Sequence, residues 1–124
     1  MSKNKDFSST NANRYSLALY EIAEEANSID EVEKDSLSFL NLILKNDDFK
    51  SFIKNPTYKN EDQLKTIVEI SKKFALNNIL IKFLSFLIFK KRFFYVEKIL
   101  SDFIETCTKK RGEIKAQLIA AKNL

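Results

Sequence analysis

Histidine and tryptophan are absent from this sequence, and cysteine, glycine, proline and methionine occur once each. Without histidine the chain lacks the commonest general base, the usual hydrolytic triads and most zinc sites. Gly112 is the sole glycine, so no glycine-rich phosphate loop can form. The lone Cys107 excludes an internal disulfide and fits a reducing compartment. One glycine and one proline leave few of the turn residues that all-β proteins need. An all-α fold is predicted. Carboxylates are the remaining catalytic material, and acidic residues on helix faces are ordinarily just solvated. No enzyme, metal or cofactor is expected.

What is present is apolar and charged. A length of 124 residues suits one domain with a core that needs neither metal nor disulfide. The net charge of +4 is unevenly spread. From Glu21 to Asp35 seven acidic residues face Lys34 alone, whereas Lys90, Lys91, Arg92, Lys109, Lys110 and Arg111 make the later part basic. A nucleic-acid binder favours a continuous basic surface. This distribution suits orientation of a protein partner instead.

The organising stretch is Ile79 to Phe89, in which nine of eleven residues are large and apolar, followed at once by Lys90-Lys91-Arg92. It is too short to cross a membrane, which takes about 20 apolar residues. As a helix it is apolar nearly all round and must be enclosed on most sides. Its two polar residues, Lys82 and Ser85, fall with Phe89 on one narrow strip. A central core helix and a core helix whose last open side receives a partner are the competing readings.

Around it the period is helical. Residues 1–12 are polar with no signal-peptide core and read as a flexible tail. Residues 13–112 read as a helical bundle. Tyr15, Ala18, Leu19, Ile22, Ala23 and Ala26 share a face of the first helix, with Leu17 and Tyr20 off it. Ser28 to Glu31 reads as a capping box, with Val32, Phe39, Leu40, Ile43 and Leu44 buried beyond it. Asn46 caps a short helix carrying Phe49, Phe52 and Ile53, and Asn55-Pro56 breaks it. Leu64, Ile67, Val68, Ser71, Phe74 and Ala75 form the next stripe, and Asn77-Asn78 turns into the apolar stretch. Val96, Ile99, Leu100, Phe103, Ile104 and Cys107 mark a last helix, stopped by Gly112. Residues 113–124 alternate apolar and polar and read as a strand opening a truncated C-terminal domain.

Several segments carry a family resemblance. Arg14-Tyr15-Ser16-Leu17-Ala18-Leu19-Tyr20-Glu21-Ile22-Ala23 is similar to an Arg-Tyr-Ala-x-Ala-Leu-Phe-x-x-Ala opening. Phe52-Ile53-Lys54-Asn55-Pro56 is similar to Phe-Leu-x-Asn-Pro. Arg92-Phe93-Phe94-Tyr95-Val96 stands in the place of Gly-Arg-Leu-x-x-Leu, and Arg111-Gly112-Glu113-Ile114-Lys115-Ala116 matches an Arg-Gly-x-x-x-Ala junction. In this order they resemble the N-terminal domain of the delta subunit family of F-type ATP synthase, whose mitochondrial counterpart is the oligomycin-sensitivity-conferring protein. Lys91 departs from the family's usual glycine, which predicts a tighter or shifted turn there.

The resemblance implies a six-helix bundle and a non-catalytic stator role that supports proton-driven ATP synthesis. It implies that a groove between helices one and five receives the N-terminal helix of an alpha subunit. Placed on this chain, the groove is lined by Tyr15, Ala18, Leu19 and Ile22, and by Lys82, Phe86 and Phe89. Leu19 and Ile22 have ordinary core burial as the competing reading. Contact with the b-subunit stalk is implied for the missing C-terminal domain. The implied location is the cytoplasmic face of the bacterial inner membrane, peripheral and without direct insertion. An RNA-binding helical bundle of the transcription-antitermination type is the alternative; the acidic block from Glu21 to Asp35 weighs against it, so no nucleic-acid partner is expected.

Overall fold

The computed structural model describes the backbone of residues 2–55 and 57–122, and the side chains of residues 11–55 and 57–116. Six α-helices follow one another: α1 (Ser2–Glu25), α2 (Ile29–Lys45), α3 (Asp47–Lys54), α4 (Asn60–Phe74), α5 (Asn78–Phe89) and α6 (Val96–Lys122). A single 3-10 turn, η1 (Phe93–Tyr95), joins the last two.

The bundle is built on α6, which packs most extensively against α1 and then α2. Val96, Ile99, Leu100, Phe103 and Cys107 recur at helical spacing and are buried. On α1 the buried residues are Ala12, Ser16, Leu19, Tyr20 and Ala23. Three of these are small, which lets two helix axes approach closely. The Ser16 hydroxyl stays satisfied by donating to the Asn13 carbonyl at 2.8 Å. Full burial of a Leu or Phe contributes about 1.5–3 kcal/mol. An exposed pair such as Lys98–Asp102, at 3.0 Å, adds at most about 0.5 kcal/mol. Apolar packing therefore decides the fold.

The segment 113–124 is corrected by the structure: α6 runs through Gly112 to Lys122, and residues 123–124 lie outside the described residues. One glycine inside a helix costs about 1 kcal/mol relative to alanine, whereas Glu, Lys, Ala, Gln and Leu after it are strong helix formers. Propensity outweighs an alternation that has no neighbouring strand to pair with. The tail is corrected as well, because α1 already begins at Ser2. With neither Pro nor Gly before Asn13, each further residue adds one hydrogen bond to an existing helix. The buried stripe of α1 is also turned by about one position, taking in Tyr20 and leaving Ala18 and Ile22 outside.

One expected cap differs and one agrees. The Ser28 hydroxyl donates to the Ala26 carbonyl at 3.1 Å rather than closing a capping box. Val68 and Phe74, assigned to a buried stripe, are exposed, while Ile67 of the same stripe is enclosed. Asn46 does cap α3, accepting from the Phe49 amide at 3.0 Å. Asn77 caps α5, its side-chain oxygen accepting from the Ile79 amide at 2.8 Å.

Three non-glycine residues have left-handed backbones, among them Ala75 (φ 50°), which closes α4, and Lys91 (φ 58°), which closes α5. The Leu76 amide donates back to the Ser71 carbonyl around Ala75, and the Arg92 amide to the Leu87 carbonyl around Lys91. A side chain makes this conformation costly. Ala75→Gly is expected to stabilise the bundle by about 0.5–1 kcal/mol, the relief exceeding glycine's larger unfolded-state entropy. A higher urea midpoint with unchanged slope is the result to look for.

Cys107 is buried in the core, and burial first, then the carboxylate of Glu33, pushes its thiol from 9.0 up to about 12. The folded state therefore binds this proton more tightly than the unfolded state. That contribution is complete below pH 9 and is lost as pH rises from about 9 towards about 12. At pH 8 a thiol-specific reagent should label Cys107 at least about 100-fold more slowly than it labels the urea-unfolded chain, since reaction requires opening.

Candidate partner-binding surface

Helix α5 shows how a partner surface arises from too much apolar area. Leu80, Phe83, Leu84, Leu87 and Ile88 are buried, which uses one broad side of the helix. Lys82, Phe86 and Phe89 project from the opposite side; Phe86 is 44% and Phe89 67% exposed. Positions 82, 86 and 89 are spaced by four and three residues and so form one strip.

Helix α1 supplies a second strip. Tyr15, Ala18 and Ile22 lie three and four residues apart along the border of its buried face. Ala18 is exposed, Tyr15 half-buried and Ile22 47% exposed. The Tyr15 and Phe86 rings join the strips, with centroids 6.1 Å apart and planes tilted by 58°. That separation lies within the range of favourable aromatic pairs. Exposed apolar residues scattered singly are ordinary, whereas a set brought together across two helices is a candidate for interaction.

Six of the seven residues expected here thus lie at or near the surface. Leu19 does not: it is 0% exposed, one position round the helix from Ala18, and belongs to the core. A stripe read from apolar character alone cannot separate the core edge from the core centre. Lys90 had not been included, yet its ammonium lies 5.8 Å from the Phe86 ring centroid, within cation–π reach. Its position four residues after Phe86 was the available signal.

The acidic block positions this surface. The Asn77 amide donates to Asp35 at 2.6 Å, and its side-chain nitrogen donates to Glu31 at 2.9 Å. Both carboxylates sit near the amino end of α5, where negative charge is favourable. Glu33 forms a two-point ion pair with Arg111 of α6, one leg measuring 3.0 Å. Hydrogen bonding and the charge of Glu33 raise the Arg111 pKa further. Among the described residues no cluster of acidic or thiol groups has metal-binding geometry, and no helix is long and apolar enough to cross a membrane.

The family profile described as ATP synthase delta (OSCP) subunit matches residues 12–124. The chain belongs to this family. It is 60% identical over all 124 residues to ATP synthase subunit delta of Pelagibacter ubique, spanning 67% of that relative's length. Over 113 residues, 91% of the chain, it is 34% identical to the Brucella ovis subunit and 31% identical to that of Rhodospirillum rubrum, spanning 61% of each. A chain in the cryo-EM structure of the Toxoplasma gondii mitochondrial ATP synthase hexamer shares the fold, with a TM-score of 0.71 and 21% identity. That match covers 74% of this chain and 51% of the other. Delta (OSCP) subunits are structural, non-catalytic components of ATP synthase.

Burial separates two substitutions within this delta-family bundle. Leu19→Ala should cost about 2–5 kcal/mol in chemical denaturation, because it opens a cavity. Phe89→Ala should stay within about 0.5 kcal/mol, because the ring leaves solvent rather than core.

Proposed function

We propose that this bundle is a stator joint of ATP synthase, receiving the N-terminal helix of an alpha subunit between α1 and α5. The observation that carries the reading is the joined pair of strips, Tyr15, Ala18 and Ile22 beside Lys82, Phe86 and Phe89. A guest helix presents apolar anchors at i, i+3 or i+4, and i+7, which such strips complement. Ala18 allows close approach of its backbone, and the half-covered Tyr15 and Phe86 rings are the expected anchors. Lys82 and Lys90 border the α5 side, whereas Glu21 and Glu25 lie on α1. A guest with carboxylates on one flank and cations on the other is oriented by that contrast.

In this role the bundle helps hold the catalytic head against the peripheral stalk, so that the head does not turn with the rotor. The b-subunit stalk is then contacted by the part of the subunit beyond these residues. The complex places the chain peripherally at the cytoplasmic face of the bacterial inner membrane. The exposed carboxylates of Glu21, Glu24 and Glu25 on α1 weigh against the RNA-binding alternative.

Calorimetric titration with the N-terminal peptide of the cognate alpha subunit tests this. Saturable binding, micromolar or tighter, with a negative heat-capacity change is expected. Absence of heat at about 100 µM peptide would exclude it. Phe86→Asp should abolish the binding and leave far-ultraviolet circular dichroism unchanged; lost helicity would make Phe86 a core residue instead.

A further inference from the structure

A cleft of about 640 Å³ lies away from the α1–α5 surface, between the end of α3, the start of α4 and the turn after α5. Its volume falls within the roughly 300–1,000 Å³ typical of small-molecule sites. None of the residues assigned to the helix-binding surface lines it.

Its lining combines cations, exposed rings and one enclosed amide. Lys54, Lys59 and Lys91 contribute three positive charges against the single carboxylate of Glu61. Among the described residues none of the three lysines forms an ion pair. Lys59 precedes α4 without a side-chain cap, and Asn60 and Glu61 at the amino end of this 15-residue helix line the cleft, with Asp62 also in the first turn. Tyr58 and Phe94, 44% and 51% exposed, offer ring faces; Tyr58 is backed by Phe52 at 4.5 Å between centroids.

Gln63 is the independent observation. It lines the cleft, is only 8% exposed, and its side-chain amide makes no hydrogen bond to any described residue. Its amide atoms are not sealed from solvent, and they offer donor and acceptor capacity to whatever enters the cleft. Helix α4 has apolar alternatives in plenty, yet this position on its buried side is polar and turned towards the cavity.

We propose that this cleft binds a small aromatic anion of the nucleoside phosphate class. The phosphates lie against Lys54, Lys59, Lys91 and the amino end of α4, where anions are favoured. The base lies on Tyr58 and Phe94, and its polar edge meets Gln63. Free phosphate satisfies only the cationic half of this lining, and an uncharged nucleoside only the aromatic half.

Titration of the whole chain with ADP, pyrophosphate and adenosine, followed by amide and side-chain NMR shifts, tests the assignment. ADP should saturate with a dissociation constant on the order of 100 µM. It should move Gln63, Lys91 and Phe94 signals and bind at least tenfold tighter than either fragment. Lys91→Gly should weaken ADP roughly fivefold through the lost charge. Its melting temperature should hold or rise, because glycine suits the left-handed backbone at that position. Gln63→Leu should keep the fold and reduce the preference for ADP over pyrophosphate. No saturation by millimolar ADP, shifts confined elsewhere, or pyrophosphate binding as tightly as ADP would each overturn the proposal. Binding of the alpha-subunit peptide is read separately and stands or falls without it.

Discussion

The enclosure of α5 is the constraint on which the other parts depend. A twelve-residue helix with hardly a polar side chain is stable only where neighbours cover it, and α4, α2, η1 and α1 all pack against it. Covering is incomplete because α1 is engaged chiefly with α6 and meets α5 only along its border. Tyr15 and Phe86 meet at that border, and the rings of Phe86 and Phe89 remain in solvent. The surplus that forces α5 into the bundle is therefore also what leaves an apolar surface beside α1.

Polar contacts set where α5 lies rather than how strongly the bundle holds. Asp35 and Glu31 of α2 grip Asn77, and Asn77 in turn caps the helix. This ties the start of α5 to a helix that is itself packed on α6. Glu33, two residues from both Glu31 and Asp35 and so on a different side of α2, reaches Arg111, so three carboxylates of one acidic block act as fasteners between elements. At the other end of α5, Lys91 accepts a left-handed backbone to turn the chain into η1. That turn carries it to the edge of the second cleft. The two proposed binding regions thus adjoin at the end of α5 and its following turn without sharing a side chain.

Much of this was legible in order and period. The α2–α3 break at Asn46, the end of α3 before Asn55-Pro56 and the start of α5 after Asn77 follow from local chemistry, because capping needs only neighbouring residues. Lys82 and Phe89 were also legible as the outer side of α5, because a helix apolar on nearly every side leaves few polar positions, whereas Phe86 was placed there by the family resemblance. Leu19 was not separable from Ala18 and Ile22, because burial depends on which side α6 takes. The strand read after Gly112 failed because a two-residue alternation has force only beside another strand, and helix propensity decided in its absence.

By itself, the sequence determined the all-α class, the order of the helices, the absence of histidine and phosphate-loop chemistry, and the family to which the motifs pointed. These depend on residue type and spacing within one segment. Tertiary structure alone decided that Glu31, Glu33 and Asp35 serve as fasteners, that Leu19 is core, and that Gln63 lies enclosed beside three lysines. Each of those depends on how segments distant in sequence pack together, and no local pattern records which faces such packing selects.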